Sequence, residues 1–421
     1  MFSPLVQREF AVKVVMQLRQ AGYEALWAGG CVRDQLLGRT PKDYDVATSA
    51  HPNQVRALFG RRRTIPIGAA FGVISVLGGQ QNHPIEVATF RNDGIYLDGR
   101  HPEKIIFSTA EEDAQRRDFT INGLFFDPLD ERVIDYVHGQ QDLEQHLIRA
   151  IGDPAARFGE DKLRMLRAVR FATTFNFHID PPTLAAIQTM AAEITVVSAE
   201  RIGAELRRVL VHPARRQGMQ LMHKTNLLQP LFPELEEQAE VDGTRWQHTL
   251  AHLECLESSS LPVALAALLF ETCLALEANN SDFVTTVGRR MRYTNKEVER
   301  ARWLVSSLPQ VANIPSTPWP QLQRLLVHAG AADLQVLSAA ILGDEHCGVQ
   351  ACHEKLAWPA EQLNPEPFIA GADLIEHGIR PGPNFRHILD HVRDQQLLGN
   401  INNRQSALEL VDQWMCEEQK E

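Results

Sequence analysis

The chain has few of the features that mark a membrane, secreted or repeat protein. No apolar run in its 421 residues approaches the roughly 20 that a membrane-spanning helix needs, so the sequence predicts no membrane span. The first 22 residues form an amphipathic helical pattern without the cationic start and cleavage site of a signal peptide. The six cysteines, at positions 31, 255, 273, 347, 352 and 416, include no CxxC pair and predict reduced, mostly buried thiols in a cytoplasmic protein. No fixed-period repeat is present, which argues against a solenoid.

An excess of positive charge is also missing. The formal net charge is −11, which taken alone argues against a polyanionic partner. The acidity is concentrated, however: residues 150–217 hold ten Lys/Arg against seven Asp/Glu, whereas residues 218–280 hold two against nine. Basic clusters remain at 60–64, 115–119 and 207–216. The basic clusters are therefore compatible with a nucleic-acid-binding surface on one side of the protein. Ordinary solvent-exposed faces are the alternative.

The composition that remains is ordinary for a globular protein, with 44% hydrophobic and 23% charged residues, and the length predicts two to four domains. The first ~140 residues mix strand and helix patterns. Strands are predicted at 24–30, 43–48, 85–91, twice within 64–79, and in a hairpin over 123–137. From about residue 141 the pattern is helical almost throughout. The predicted fold class is therefore α+β, with a mixed-sheet head followed by an all-α remainder.

Two acids stand at alternate positions in the strand pattern "DYDVAT". Residues i and i+2 of a strand face the same side, so Asp43 and Asp45 should lie close together. Two neighbouring carboxylates repel each other unless a cation lies between them, and oxygen-only ligands suit Mg²⁺. A pair of such ions is the usual apparatus of in-line phosphoryl transfer. A solvent-facing strand edge is the alternative, and Glu86 is a possible third carboxylate.

A glycine turn precedes the acids. Gly29 and Gly30 follow a predicted strand and open a helix, an arrangement in which backbone N–H groups approach a phosphate. Arg33 lies in the first helical turn, where it could reach the same phosphates. The alternative is a tight turn in which Arg33 pairs with Asp34.

The run "GGCVRDQLLGRTPKDYDVAT" (29–48) resembles the signature of class II tRNA nucleotidyltransferases and bacterial poly(A) polymerases, members of the polymerase-β-like nucleotidyltransferase superfamily. The resemblance continues in order through "RRDFTING" (116–123), "DYVHGQQDL" (135–143), "EDKLRMLRAVRF" (160–171) and "ERIGAELRRVL" (200–210). It implies a nucleotidyltransferase head followed by a helical neck, body and tail. The expected head covers residues 1–140 and the neck 141–225. The body, which resembles a degenerate HD domain, covers 226–360, and the tail covers 361–421.

The resemblance also implies roles for individual residues. Asp43 and Asp45 would be the catalytic metal ligands, and Gly30 and Arg33 would contact the nucleotide. Triphosphate and ribose would be bound by a second group, consisting of Arg116, Arg117, Asp118 and Asn122. The chain departs from the family at Gly123, where alanine is usual.

The "EDKLRMLRAVRF" run predicts a helix with polar residues at every third position. Asp161 and Arg164 would then lie side by side on one face, with Arg167 and Arg170 behind them. The resemblance implies that this pair reads the incoming base. Cytosine and adenine each offer an amino donor beside a ring-nitrogen acceptor, which suits a carboxylate beside a guanidinium, whereas uracil and guanine offer the reverse. A salt-bridged amphipathic helix is the alternative.

Three activities share these motifs: complete CCA addition, addition of part of CCA, and poly(A) tailing. A full segment at 90–107 after the "TFR" strand argues against a CC-only enzyme, and "IPIGAAFGVISV" favours CCA addition over poly(A) tailing. The expected substrates are a tRNA 3′ end, CTP and ATP, and the expected cofactor is Mg²⁺. The sequence does not give the oligomeric state.

The C-terminal half offers two weaker metal hypotheses. The segment 245–271 resembles an HD phosphohydrolase domain, but Phe270 and Glu271 stand where the His-Asp doublet is required. His248 and His252 keep a spacing that could chelate a metal, and "HCGVQACH" (346–353) is a further candidate zinc site. A helical remnant without hydrolase activity is favoured. A binding protein with an inactive head, or a phosphohydrolase, are the alternatives from other classes.

Overall fold

The computed structural model describes residues 4–68, 72–78, 83–93, 105–257, 260–276, 280–382 and 384–418. These residues divide into two compact units, Met1–Asp242 and Gly243–Glu421. All the residues predicted for nucleotide chemistry belong to the first unit.

The first unit carries the strands. They are β1 (Ala25–Ala28), β2 (Asp45–Thr48), β3 (Thr64–Gly68), β4 (Val73–Val76), β5 (Ile85–Thr89), β6 (Arg91–Asp93), β7 (Ile105–Phe107), β8 (Phe125–Asp127), β9 (Arg132–Ile134), β10 (Leu147–Ile148) and β11 (His178–Ile179). In the described part of the chain, seven of them form one sheet in the order β3-β4-β5-β2-β1-β8-β9. Strands β2 and β5 are parallel and the other neighbours are antiparallel, which confirms the predicted mixed sheet.

The buried central strands of the sheet position the segments that carry the predicted site residues. Strand β1 is buried at all four residues, and Trp27 is fully enclosed, so this strand lies in the middle of the sheet with β2 and β8 beside it. The predicted hairpin is confirmed: β8 and β9 pair, and the Asp127 carboxylate accepts hydrogen bonds from the Leu129 and Asp130 amides in the turn. The turn between β3 and β4, at 69–71, and residues 94–104 of the 90–107 segment lie outside the described residues.

The helices of the first unit surround the sheet and continue beyond it. They are α1 (Pro4–Gln20), α2 (Gly30–Leu36), α3 (Pro52–Phe59), α4 (Ala110–Gln115), α5 (Gly139–Glu144), α6 (Pro154–Glu160), α7 (Leu163–Phe175), α8 (Pro181–Met190), α9 (Ala199–Leu210), α10 (Arg215–Lys224), α11 (Leu228–Leu231) and α12 (Pro233–Val241). The predicted change to helix near residue 141 is confirmed, apart from the two-residue parallel strands β10 and β11. Helix α7 buries its apolar stripe, including Leu166 and Val169, and packs against α9.

The second unit is helical throughout its described residues. Its helices are α13 (Gly243–Cys255), α14 (Leu261–Ala275), α15 (Asn280–Arg290), α16 (Asn295–Ala312), α17 (Trp319–Leu326), α18 (Ala331–Leu342), α19 (Cys347–Leu356), α20 (Ala360–Leu363), α21 (Gly371–Glu376), α22 (Asn384–Leu397) and α23 (Arg404–Glu418). Among the described residues no single helix has the length and apolarity to cross a membrane; α17 and α18 meet the criterion only as a pair bent by 107°. Of the five cysteines whose side chains are described, Cys31, Cys273 and Cys352 are buried, and all five are free thiols.

Candidate active site

A cavity of about 660 Å³ in the first unit collects the residues predicted from three separate motifs. Seven arginines and four aspartates line it, so it suits a strongly anionic ligand held together with a cation. Of the predicted site residues, only Arg170 is missing from its lining. The lining residues are Gly29, Gly30, Arg33, Asp43, Asp45, Arg116, Arg117, Asp118, Asn122, Asp161, Leu163, Arg164, Arg167, Phe171, Arg201 and Arg208.

The paired acids reach this cavity by a local structure that differs from the prediction. Strand β2 begins at Asp45, so Asp43 precedes the strand and the expectation of a strand spanning both acids is wrong by two residues. The alternation still holds, because Tyr44 is buried against Trp27, with 4.7 Å between ring centroids, while its two neighbours are exposed. Anchoring of Tyr44 in the core therefore leaves both carboxylates on the cavity wall.

The acid pair is electrostatically unfavourable without a counter-ion. Burial of the carboxyl group by surrounding protein atoms, followed by the charges of Asp43 and Glu86, raises the pKa of Asp45 to about 7. The charge of Arg117 acts in the opposite direction. Glu86 stands opposite Asp45 in the register of β2 and β5. Asp43 and Asp45 supply oxygen donors of the kind that a divalent cation takes. Glu86 does not line the cavity, and within the described residues it forms no group of three metal ligands with the two aspartates.

The glycine turn confirms the predicted strand–turn–helix, since β1 ends at Ala28 and α2 begins at Gly30. Gly29 has φ 72° and ψ −123°, a conformation that L side chains rarely adopt. A Cβ at this position would lie 2.8 Å from Nη1 of Arg117. Gly29 therefore allows an arginine side chain to approach the backbone at the start of α2.

Arg33 forms the pair with Asp34 that one interpretation predicted, while its contact with phosphates stays a prediction. Its guanidinium donates to Asp34 at 2.7 and 2.9 Å, and it also donates to Oδ1 of Asn122 at 2.6 Å. It lies 4.5 Å from the ring centroid of Phe175. The side chain is buried and lines the cavity, so its direction is fixed by these contacts.

Arg116 and Arg117 directly follow α4, so this motif begins where a helix ends. Both guanidiniums donate to the buried carboxylate of Asp113, at 2.7 and 2.9 Å. Arg117 also donates to the Asn122 carbonyl at 3.1 Å. Asp113 holds the two arginines at the cavity wall, and their charge lowers the pKa of Asp113 despite its burial.

Asp118 is the centre of a buried network. Its carboxylate accepts from Nδ2 of Asn122 at 3.0 Å, from the Phe119 amide at 2.8 Å, and from Arg167 at 2.5 and 2.8 Å. Burial opposes ionisation, but Arg167 and these hydrogen bonds lower the pKa of Asp118 to about 2. The "RRDFTING" motif and α7 are therefore connected through one charged pair.

The predicted Asp161–Arg164 helix face is partly wrong. Asp161 lies between α6 and α7 with φ −148° and ψ 105°, so it precedes the helix that carries Arg164. Its carboxylate accepts from Arg201 at 2.7 Å, and it also accepts from the Leu163 amide at 3.1 Å. Arg164 donates 3.0 Å to the Arg157 carbonyl and also pairs with Glu160. The two side chains share the cavity, but each is held by a different partner.

Arg167 and Arg170 differ in their surroundings. Arg167 lines the cavity and pairs with Asp118, whereas Arg170 pairs with the buried Glu205 and lies 3.8 Å from the ring centroid of Phe171. Arg170 is therefore in the supporting position behind the cavity. The prediction that it supports the base-reading pair or reaches triphosphate is not tested by this placement.

Four cavity residues were not singled out from the sequence: Leu163, Phe171, Arg201 and Arg208. Arg201 and Arg208 belong to the recognised "ERIGAELRRVL" motif, which forms α9, so their motif was found without a role for either residue. The proximity of α9 to Asp161 is a tertiary contact between residues 40 positions apart. No periodicity within either helix could have revealed it.

Within the described residues, neither C-terminal metal hypothesis is matched by a group of three ligand atoms. His248 and His252 lie 3.8 Å from the same Oε1 of Glu271, so the residue in place of the missing doublet stands beside the histidines. Burial, with a smaller contribution from His248, lowers the pKa of His252 to about 4. His346 instead caps α19 by accepting from the Gly348 amide, and within the described residues the 346–353 segment forms no group of three metal ligands.

Two protein families match parts of the chain. The family described as "Poly A polymerase head domain" matches residues 25–149, and the family described as "Probable RNA and SrmB- binding site of polymerase A" matches residues 176–238. The first match spans the glycine turn, the acid pair and the "RRDFTING" motif. The second begins after α7 and ends within α12.

Among individual proteins, the CCA-adding enzyme of Levilactobacillus brevis is 32% identical over 419 residues, covering 95% of this chain and 96% of that enzyme. Poly(A) polymerase I of Salmonella typhimurium is 44% identical over 236 residues, covering 53% of this chain and 50% of that protein. The crystal structure of the Bacillus stearothermophilus CCA-adding enzyme in complex with CTP superimposes with a TM-score of 0.77 at 27% identity and covers 100% of both chains.

Proposed function

The chain belongs to the CCA-adding enzyme family, and we propose that it builds the CCA sequence on tRNA 3′ ends from CTP and ATP without a nucleic-acid template. The observation that carries the proposal is the single cavity in which the acid pair, the glycine turn and the arginines of three motifs meet. Such a cavity can hold a nucleoside triphosphate and an attacking hydroxyl in one place.

Poly(A) tailing is the competing activity. The poly(A) polymerase relative is more similar per residue, but the similarity covers about half of each chain. The CCA-adding relative corresponds over nearly the whole length, including the second unit. Full-length correspondence favours CCA addition, because the choice between a tRNA and an arbitrary RNA depends on more of the protein than its catalytic head.

Enzymes of this nucleotidyltransferase family use a divalent metal ion, and we infer that Mg²⁺ is held by Asp43 and Asp45. The fit is supported by the donor set, since Asp43 and Asp45 offer carboxylate oxygens. It is also supported by the raised pKa of Asp45, which burial and then the charges of Asp43 and Glu86 produce. When bound, such an ion would favour the ionised form of the attacking hydroxyl and offset charge on the phosphates. A third carboxylate from Glu86, which pairs with Asp45 in the register of β2 and β5, is part of the proposal.

The protein's own groups account for substrate binding. Arg33, Arg116 and Arg117 are fixed by Asp34, Asn122 and Asp113, so they present positive charge to a triphosphate without having to be ordered on binding. The N–H groups at the start of α2, next to Gly29 and Gly30, add donors for phosphate oxygens. In the proposed reaction the RNA 3′-hydroxyl attacks the α-phosphorus, the bond to the β-phosphate oxygen breaks, and pyrophosphate leaves.

Base selection is assigned to Asp161 and Arg164. A carboxylate that accepts from an exocyclic amino group, beside a guanidinium that donates to a ring nitrogen, suits both cytosine and adenine. Uracil and guanine would place a carbonyl oxygen opposite the carboxylate and a ring N–H opposite the guanidinium. Each buried group left unpaired in this way costs on the order of 1–3 kcal/mol. Arg201 would orient Asp161, and Glu160 would orient Arg164.

The functional divisions remain part of the proposal. Residues 1–140 would be the catalytic head and 141–225 the neck that binds base and RNA, followed by body (226–360) and tail (361–421). The proposed cytoplasmic location follows from the reduced state expected of the cysteines.

Incorporation of CTP tests this function. The wild-type protein with Mg²⁺ should add cytidine to tRNA that ends at the discriminator base. Asp43→Asn and Asp45→Asn should each lose this activity by about a thousandfold or more while CTP binding persists, because the arginines that hold the triphosphate are intact. Glu111→Gln, which removes an exposed acid of α4 outside the cavity lining, should retain addition. Absence of cytidine incorporation by the wild-type protein would overturn the proposal.

A further inference from the structure

A second cluster of metal-ligating side chains lies in the first unit, away from the cavity described above. His223 is in α10, and Glu236 and Glu240 are one turn apart in α12. Each can offer one ligand atom such that the three atoms lie within 4.8 Å of one another. None of these residues lines the candidate active site, and no motif in the sequence analysis includes them.

The carboxylate of Glu236 is the least expected member. Glu236 is only 8% exposed, although it is an acidic residue in a helix of the surface. Its Oε1 lies 3.0 Å from Nδ1 of His223, but its Oε2 is shielded from solvent and has no hydrogen-bond partner among the described residues. A buried carboxylate oxygen without a partner is costly, so this atom has an unused capacity to bind a ligand.

The surroundings favour a cation. Helix α12 has the sequence PELEEQAEV, which contains four glutamates and no basic residue. A cavity of about 420 Å³ beside it is lined by Gln229, Pro233, Glu234, Glu236, Glu237 and Glu240. Lys224, next to His223, is the nearest basic residue along the chain in α10. Helix α12 therefore places negative charge around the three candidate ligands.

The donor set selects the kind of cation. One imidazole nitrogen and two carboxylate oxygens suit a transition-metal ion such as Zn²⁺, whereas Mg²⁺ prefers oxygen ligands alone. Ligand atoms within 4.8 Å of one another can surround an ion at about 2.0–2.2 Å after small side-chain rotations. From these observations, we propose that His223, Glu236 and Glu240 form a structural transition-metal site that fastens α12 to α10.

The site would stabilise the segment that joins the base-reading helix to the rest of the chain. Helix α10 packs against both α7 and α9, which carry Arg164, Arg167 and Arg201. A metal bond between α10 and α12 would therefore restrain the supports of the candidate base pocket. This proposal does not depend on the catalytic activity, because metal binding and thermal stability are measured without substrate.

The experiment is a titration of the full-length chain with Co²⁺ as a spectroscopic probe, followed by displacement with Zn²⁺. Asp43→Asn and Asp45→Asn are included in every protein so that the acid pair does not contribute. The expected result is one equivalent of bound Co²⁺, displaced by Zn²⁺, and a rise in unfolding temperature with Zn²⁺. Adding Glu240→Gln should weaken binding by about tenfold or more and remove the thermal effect.

Two further variants make the outcome decisive. Glu237→Gln changes a glutamate of the same helix and cavity that is not one of the three ligands, and it should bind Co²⁺ as tightly as the starting protein. His223→Gln replaces the nitrogen ligand and gives the same test if Glu240→Gln fails to fold. The proposal is wrong if the starting protein binds no Co²⁺, or if His223→Gln and Glu240→Gln bind it unchanged.

Discussion

Asp45 and Glu86 occupy directly paired positions on the adjacent parallel strands β2 and β5. Parallel pairing places their side chains on the same face of the sheet, and the charge of Glu86 contributes to the raised pKa of Asp45. This strand pairing brings two acids that are 41 residues apart in sequence, at positions 45 and 86, onto neighbouring strands, as a cation site would require. It also gives Glu86 a testable role.

Replacing Glu86 with glutamine should weaken the proposed Mg²⁺ site without removing it. One charge at this range is worth on the order of 1 kcal/mol near a protein surface, so the Mg²⁺ concentration for half-maximal activity should rise about fivefold. Saturating Mg²⁺ should restore most of the rate. Glu111→Gln, an exposed acid of α4, serves as the control. An unchanged Mg²⁺ dependence in Glu86→Gln would exclude Glu86 from the site.

Gly29→Ala should impair both stability and activity. The backbone conformation of Gly29 costs an L residue on the order of 1–3 kcal/mol, and the added Cβ would displace the Arg117 guanidinium from 2.8 Å away. We expect kcat/KM for CTP to fall about tenfold or more. Gly22→Ala shares the positive φ but has no atom within 4 Å of the new Cβ, so it should lower thermal stability and leave kcat/KM unchanged.

The sequence predicts those parts of the site that depend on residues close together along the chain. Alternation located the Asp43 and Asp45 side chains, because burial of Tyr44 between them is a local property of the chain. The strand start was misplaced, since the pairing of β2 with β5 begins only at Asp45 and its pairing with β1 only at Val46. The mixed sheet and the change to helix followed from periodicity and are both confirmed.

The periodicity of the sequence could not predict the contacts between residues of different motifs. Asp161 resembles a helical residue by its spacing to Arg164, but its bond to Arg201 and its capping of Leu163 keep it outside α7. Asp118 and Arg167 are 49 residues apart and belong to different motifs. Arg170 shares the spacing of Arg167, yet Glu205 and Phe171 hold it behind the cavity. These assignments depend on which helices pack together.

Arg164→Ala should reduce nucleotide discrimination as well as affinity. Loss of a buried donor to the base is worth on the order of 1–3 kcal/mol, so kcat/KM for CTP should fall about 10- to 100-fold while that for UTP changes little. Lys162→Ala changes a neighbouring residue that pairs with Glu193 outside the cavity lining. It should preserve the preference for CTP. Equal losses for CTP and UTP in Arg164→Ala would contradict the base-reading role.

His252 should make the second unit sensitive to mild acid. Burial lowers its pKa from 6.5 to about 4, so between these pH values the unfolded chain binds a proton that the folded chain does not. The contribution to stability is therefore complete above pH 6.5 and decreases as the pH falls towards 4. The expected loss between pH 7 and pH 5 is about 2 kcal/mol in the free energy of unfolding.

Unfolding of His252→Gln by urea at several pH values provides the measurement. The variant should lose this part of the pH dependence, whereas His387→Gln, which changes an exposed histidine of α22, should behave as the wild-type protein does. Identical pH profiles for His252→Gln and the wild-type protein would show that His252 does not carry the effect.

The central claim is that the chain completes CCA on tRNA, and product sequencing tests it most directly. The protein would be incubated with Mg²⁺, CTP and ATP on three RNAs: tRNA ending at the discriminator base, tRNA ending in CC, and an unrelated RNA of similar length. The account predicts two cytidines and then one adenosine on the first, one adenosine on the second, and little addition to the third. Adenosine added only to the CC-ended tRNA would identify an A-adding specialist, and long adenosine tails on all three RNAs would identify a poly(A) polymerase; either result would contradict the account.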